Sequence, residues 1–239
     1  GDWLRNNRIR QHVGGAEANV ATALALWGLP SSYMTAVPRN FMSEQILSYL
    51  QSKAVKTDQV VQGEGRLGLF FLAEGQDMKH SEVIYDREHS AFSKLQPRSI
   101  DWATALKGVS WLHMSAISPA LTADAAAVCL EAAKAASQRD IFVSFDLNYR
   151  AKLWKYGKLP IEIIPEIANC CDLIMGNIWA AETMLGTKLD RSSIQEGNQE
   201  TFIRQAEIVS KESMSGYTKC SIVAHNFRFD FGDAGIEYY

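Results

Sequence analysis

Apolar positions along the chain repeat in two alternating rhythms, one with the period of a helix and one with the short, dense runs of a strand. The Ala- and Leu-rich stretch from Glu17 to Trp27 predicts a helix stopped by Gly28 and Pro30, and Tyr33 to Val37 predicts a short strand. Phe41 to Lys53 is amphipathic, with Ile46, Leu47 and Leu50 on one helical face. The alternation then breaks: Arg66 to Leu72 and Glu82 to Asp86 are two extended runs around a polar turn. A pair of strands outside the main sheet explains the break, and such an insert can cover a ligand site as a lid.

From Ser110 the alternation resumes. Strands are predicted over Ser110 to Met114, Ile141 to Phe145, Asp172 to Met175 and Cys220 to Ala224. Helices are predicted over Ala123 to Ser137, Ile161 to Ala168, Trp179 to Leu185 and Gln199 to Met214. The polar stretch Thr187 to Asn198 reads as a mobile loop, and Phe227 to Phe229 and Ile236 to Tyr239 as extended pieces around a Gly-Asp-Ala-Gly turn. Mainly apolar strands alternating with helices predict a parallel sheet covered on both faces.

Composition narrows this picture without changing it. A chain of 239 residues that is 47% hydrophobic and 21% charged suits one α/β domain over residues 1–239 carrying the lid. The net charge of -3, with no basic run interleaved with aromatics, argues against a nucleic-acid partner. Cysteines at 129, 170, 171 and 220 lack metal-ligand spacing, so no protein-built metal site is expected. There is no apolar run of about 18 residues and no signal-peptide core, so the expected place is the cytoplasm, away from membranes. The chain opens on Gly1 rather than Met and closes on a strand-like tail, so sequence is expected to continue on both sides. A lid with strand edges also offers a surface for a homodimer.

Two segments carry candidate chemistry. After Phe145 the chain reads Asp146-Leu147-Asn148-Tyr149-Arg150, which puts an amide and a guanidinium just past a strand's carboxyl end, where open α/β sheets bind ligands. Together they can hold an anion; the plain alternative is a solvated turn with Arg150 paired to a local carboxylate. Gly14 and Gly15, ahead of an Ala-rich helix, remove the Cβ atoms that keep a ligand off the backbone. Here the alternative is a simple turn that opens the helix. None of the five histidines pairs with a Ser or Cys in a nucleophilic arrangement.

The run Gly14-Gly15-Ala16-Glu17-Ala18-Asn19-Val20-Ala21 resembles the first signature of the ribokinase-like (PfkB) carbohydrate kinases. Val83 to Arg87 with Ser90-Ala91, Trp111 to Ser115 with Pro119 to Leu121, and Asp146 to Trp154 resemble the 2-keto-3-deoxygluconate kinases among them. The resemblance implies a three-layer α/β/α fold with a mainly parallel central sheet and a small β lid. It also implies ATP and Mg²⁺, and transfer of the γ-phosphoryl group to a sugar acid, 2-keto-3-deoxygluconate, giving its 6-phosphate. Sugar and nucleotide would meet along the carboxyl edge of the sheet.

Residue by residue, the resemblance places Gly14, Gly15, Asn19, Phe70, Tyr85, Arg87 and Arg150 on the substrate, and Asn148, Tyr149, Arg150 and Asn177 on the nucleotide. Tyr85 and Arg87 share a strand face by alternation. Arg87 would clamp the carboxylate that separates a sugar acid from a neutral hexose, and Arg150 would act on the transferring phosphoryl group. Three features depart from the pattern. Phe70 stands where relatives commonly have Tyr. Ala180 stands where many have a Glu that organises magnesium-bound water, and Glu182 is about 200° further round a helix. The catalytic Asp of a Gly-x-Gly-Asp segment is expected beyond Tyr239. The alternatives are a fructokinase-like member of the same fold and a catalytically silent sugar binder.

Overall fold

In the computed structural model, which describes residues 11–73, 82–189 and 221–224, the chain divides between Leu95 and Gln96 into two compact units. In the first, helix α1 (Ala16–Leu26) leads to β1 (Ser31–Ser32) and β2 (Ala36–Pro38), then α2 (Phe41–Ser52), β3 (Val55–Lys56) and β4 (Val61–Gly63). The α2 helix starts at Asn40, whose side-chain oxygen accepts the Ser43 N–H at 2.9 Å. Of the single strand expected over Tyr33 to Val37, only Ala36 and Val37 lie in a strand, β2; Tyr33 to Thr35 is irregular chain between β1, which pairs in parallel with β3, and β2, which pairs with β4. A small core of Ala21, Leu50 and Val55 takes in Val13, Ala25, Tyr33 and Ile46 at its margin.

Strands β5 (Leu69–Ala73) and β6 (Glu82–Asp86) form the expected antiparallel pair, with Phe70 opposite Tyr85. The first begins at Leu69 rather than Arg66. Arg66 is used elsewhere: its backbone bridges Ser90, and its guanidinium grips the Asp86 carboxylate and carbonyl.

The second unit contains the expected parallel sheet. Its elements are α3 (Trp102–Ala105), β7 (Trp111–Ser115), α4 (Ala123–Ser137), β8 (Phe142–Asp146), α5 (Pro160–Ala168), β9 (Leu173–Gly176), α6 (Ile178–Leu185) and β10 (Ser221–Ala224). The strand order is β7-β8-β9-β10, every pair parallel, so all four carboxyl ends lie at one edge. Thr122 caps α4 by accepting the Ala125 N–H, and the alanines of that helix allow close packing on a core that includes Val143, Phe145, Ile164 and Ile174. The strands β7, β8 and β9 each run one residue past the predicted end, because Ser115, Asp146 and Gly176 stay in the ladder although none extends the apolar pattern.

Among the described residues no helix is long and apolar enough to cross a membrane. The helix expected over Gln199 to Met214, most of the loop from Thr187 to Asn198, and the extended pieces Phe227 to Phe229 and Ile236 to Tyr239 lie outside the described residues.

Candidate active site

In the first unit Gly14 and the lid residue Phe70 are in contact. A Cβ built on Gly14 would lie 3.3 Å from Cε1 and Cζ of Phe70, so the ring edge rests where that side chain would be. Gly15, the N-cap of α1, has φ 143° and ψ 136°, a backbone region that is strained for residues with a Cβ. Phe70 and Tyr85 are cross-strand partners and share a face. Arg87 follows on that face, its guanidinium 5.6 Å from the Tyr85 ring centroid. Gly68 admits the Arg87 stem, with Cγ 3.6 Å from where a Cβ would stand. Gly14, Phe70, Tyr85 and Arg87 are thus one continuous wall.

The two arginines near the lid have different work. Arg66 is taken up by Asp86, whereas Arg87 has no carboxylate partner among the described residues. Asn19 lies with Ala18, Thr22, Ala23 and Leu26 on a stripe of α1 lining a cavity of about 240 Å³, which Val13, Tyr49 and Leu50 complete. Its backbone N–H is given to the Gly15 carbonyl at 2.8 Å.

Sequence reasoning missed Tyr33. The structure puts its hydroxyl 3.8 Å from the position a Gly15 Cβ would take. Burial first, and then the Glu17 carboxylate, push this phenol up to about 12, against smaller opposing effects of a Thr35 hydrogen bond and the Arg87 charge. The only sequence signal was an aromatic residue opening an extended run, and that does not say where its tip ends.

In the second unit the flagged residues gather at the carboxyl edge. Asp146 closes the turn after β8, its Oδ1 accepting the Asn148 N–H at 3.0 Å. Leu147 donates its N–H to the Met175 carbonyl at 2.8 Å, which ties this turn to the neighbouring strand β9. Tyr149 packs on the core, and its carbonyl accepts from Arg150 Nη1 at 3.0 Å. Arg150 is exposed, and no carboxylate pairs with it among the described residues. Further along, the Tyr156 hydroxyl donates to the Pro119 carbonyl at 2.9 Å, which fastens the segment to the residues after β7.

Asn177 follows β9 and caps α6, its Oδ1 accepting the Ala180 N–H at 2.8 Å. One lone pair of the side-chain oxygen is used in this cap, and the amide nitrogen carries two donors besides. Gly176 beside it has a steric reason. A Cβ there would lie 2.8 Å from Leu147 Cβ and 2.9 Å from Leu147 Cδ1. Gly176→Ala should therefore cost about 1–3 kcal/mol, the usual range for overpacking. The check is the midpoint of chemical denaturation; an unchanged midpoint would mean that Leu147 moves aside without penalty.

No group of three or more His, Cys, Asp or Glu among the described residues could hold a metal ion. Ala180 is buried and offers no carboxylate.

The profile of the pfkB family carbohydrate kinases matches residues 1–213 of the chain. The chain is 26% identical over 142 residues to the 2-dehydro-3-deoxygalactonokinase of Haloferax volcanii, covering 59% of this chain and 44% of that protein. It is 27% identical over 167 residues to the 5-dehydro-2-deoxygluconokinase of Bacillus velezensis, covering 70% and 50%. Among solved structures, the 2-dehydro-3-deoxygluconokinase of Thermotoga maritima superposes with a TM-score of 0.80 at 31% identity, covering 89% of this chain and 64% of that one. The chain spans about half the length of these curated relatives.

Proposed function

The chain belongs to the pfkB family of carbohydrate kinases, and on that premise we propose that it serves the ATP-dependent phosphorylation of a keto-deoxy sugar acid, 2-keto-3-deoxygluconate, at its 6-hydroxyl. The observation that carries the acid reading is Arg87. Its guanidinium stands over Tyr85 on the lid face, with no carboxylate partner among the described residues, while the neighbouring Arg66 is neutralised by Asp86. A planar fork left in that state is suited to a ligand carboxylate. The relatives favour the same choice, since all three are named as kinases of dehydro-deoxy sugar acids.

In this reading the Phe70 and Tyr85 rings take the apolar side of the sugar, Gly14 gives its side-chain space to the Phe70 ring, and Gly15 lets the sugar approach bare backbone. Asn148, Arg150 and the amide nitrogen of Asn177 take phosphate oxygens. ATP, when bound, supplies the phosphoryl group and brings Mg²⁺ on its phosphates. The protein's share is to hold the acid end, keep the reacting hydroxyl in place and offset charge at the phosphates.

Calorimetric titration tests the reading. 2-Keto-3-deoxygluconate should bind roughly 10–150-fold more tightly than fructose, the equivalent of one charge-assisted hydrogen bond of about 1.5–3 kcal/mol. Equal affinities would overturn the acid reading in favour of a hexose kinase. A catalytically silent sugar-acid binder is the second reading, favoured by the buried Ala180 in place of a carboxylate. Tight binding of a non-hydrolysable ATP analogue in the same experiment would remove it.

A further inference from the structure

We propose that Tyr33 is a specificity-determining residue of the sugar site, its hydroxyl donating a hydrogen bond to a hydroxyl of the sugar acid lying against Gly15. This deepens the kinase reading and rests on it. The ring is anchored from below: it packs on the core of Ala21, Leu50 and Val55, and its backbone N–H bonds the Lys56 carbonyl at 2.9 Å. Only the tip reaches the glycine, 3.8 Å from the space a Cβ would fill, and the φ of 143° at Gly15 disfavours a side chain there on conformational grounds as well. With no Cβ at Gly15, no side chain of that residue stands between its backbone and the phenol.

The Glu17 carboxylate and the Arg87 guanidinium act on the Tyr33 phenol with opposite sign. With the carboxylate of the sugar acid on Arg87, its hydroxyls are the groups left to meet Tyr33. Burial and Glu17 keep the phenol protonated, so it is a neutral donor at any physiological pH.

Tyr33→Phe keeps the ring and its packing and removes only the donor. Calorimetry on this variant should give about tenfold weaker binding of 2-keto-3-deoxygluconate, the scale of one hydrogen bond, with unchanged affinity for an ATP analogue and an unchanged unliganded melting temperature. 2-Ketobutyrate, which keeps the keto-acid end but has no hydroxyls, should bind wild type and variant equally in competition. If Tyr33→Phe stays within twofold of wild type while Arg87→Ala loses the acid, the role of Tyr33 is wrong and the acid reading stands. Equal losses on both ligands would make Tyr33 a packing residue. If the wild type binds neither acid, the kinase reading falls and this inference falls with it.

Discussion

Arg150→Ala should lower the turnover of 2-keto-3-deoxygluconate by roughly 10²–10³-fold, the usual scale for removing one donor that acts on transition-state charge. The guanidinium lies past the end of β8, exposed, bonded to the Tyr149 carbonyl at 3.0 Å and unneutralised by any described carboxylate. Its charge is thus at the disposal of a ligand. In phosphoryl transfer negative charge spreads over the equatorial oxygens, and a fixed fork that meets those oxygens best at that moment raises kcat rather than affinity alone. Arg150→Lys should restore only part of the loss, because a point charge lacks the planar pair of donors. The measurement is kcat at saturating sugar acid and ATP. Turnover within a few-fold of wild type would remove Arg150 from this role.

Arg87→Ala should cost binding of the sugar acid about 1.5–3 kcal/mol, the range for a hydrogen bond to a charged group, and leave fructose nearly unaffected. The geometry separates this effect from packing. The Arg87 stem passes 3.6 Å from the Cβ position of Gly68 and its head lies over Tyr85, so truncation also removes apolar contact. Arg87→Met keeps most of the stem and removes the charge; if the carboxylate is what Arg87 meets, Met and Ala variants lose the acid equally. Titration of both variants with acid and hexose decides it. Parallel losses on the two sugars would make Arg87 a structural support of the lid.

These two arginines were legible in the sequence for different reasons. Alternation along β6 put Tyr85 and Arg87 on one face, and the structure keeps them there. The residues after Phe145 were marked by an apolar run giving way to polar groups, and they do lie at the carboxyl edge, tied to β9 through Leu147. Tyr33 was not legible, because its place beside Gly15 depends on the chain leaving α1 and pairing β1 with β3.

The sequence by itself determined which faces are buried and in what order the elements come. Periodicity and caps such as Asn40, Thr122 and Asn177 are properties of neighbouring residues, so they can be read locally. Only the tertiary structure decided which strand pairs with which. That choice left Tyr33 in the irregular chain between β1 and β2, and carried the strands to Ser115, Asp146 and Gly176. It also laid Leu147 over Gly176, which excludes a side chain there. The physical reason is that an apolar pattern records burial, whereas backbone hydrogen bonds between distant segments choose the partner, and with it what each side-chain tip can reach.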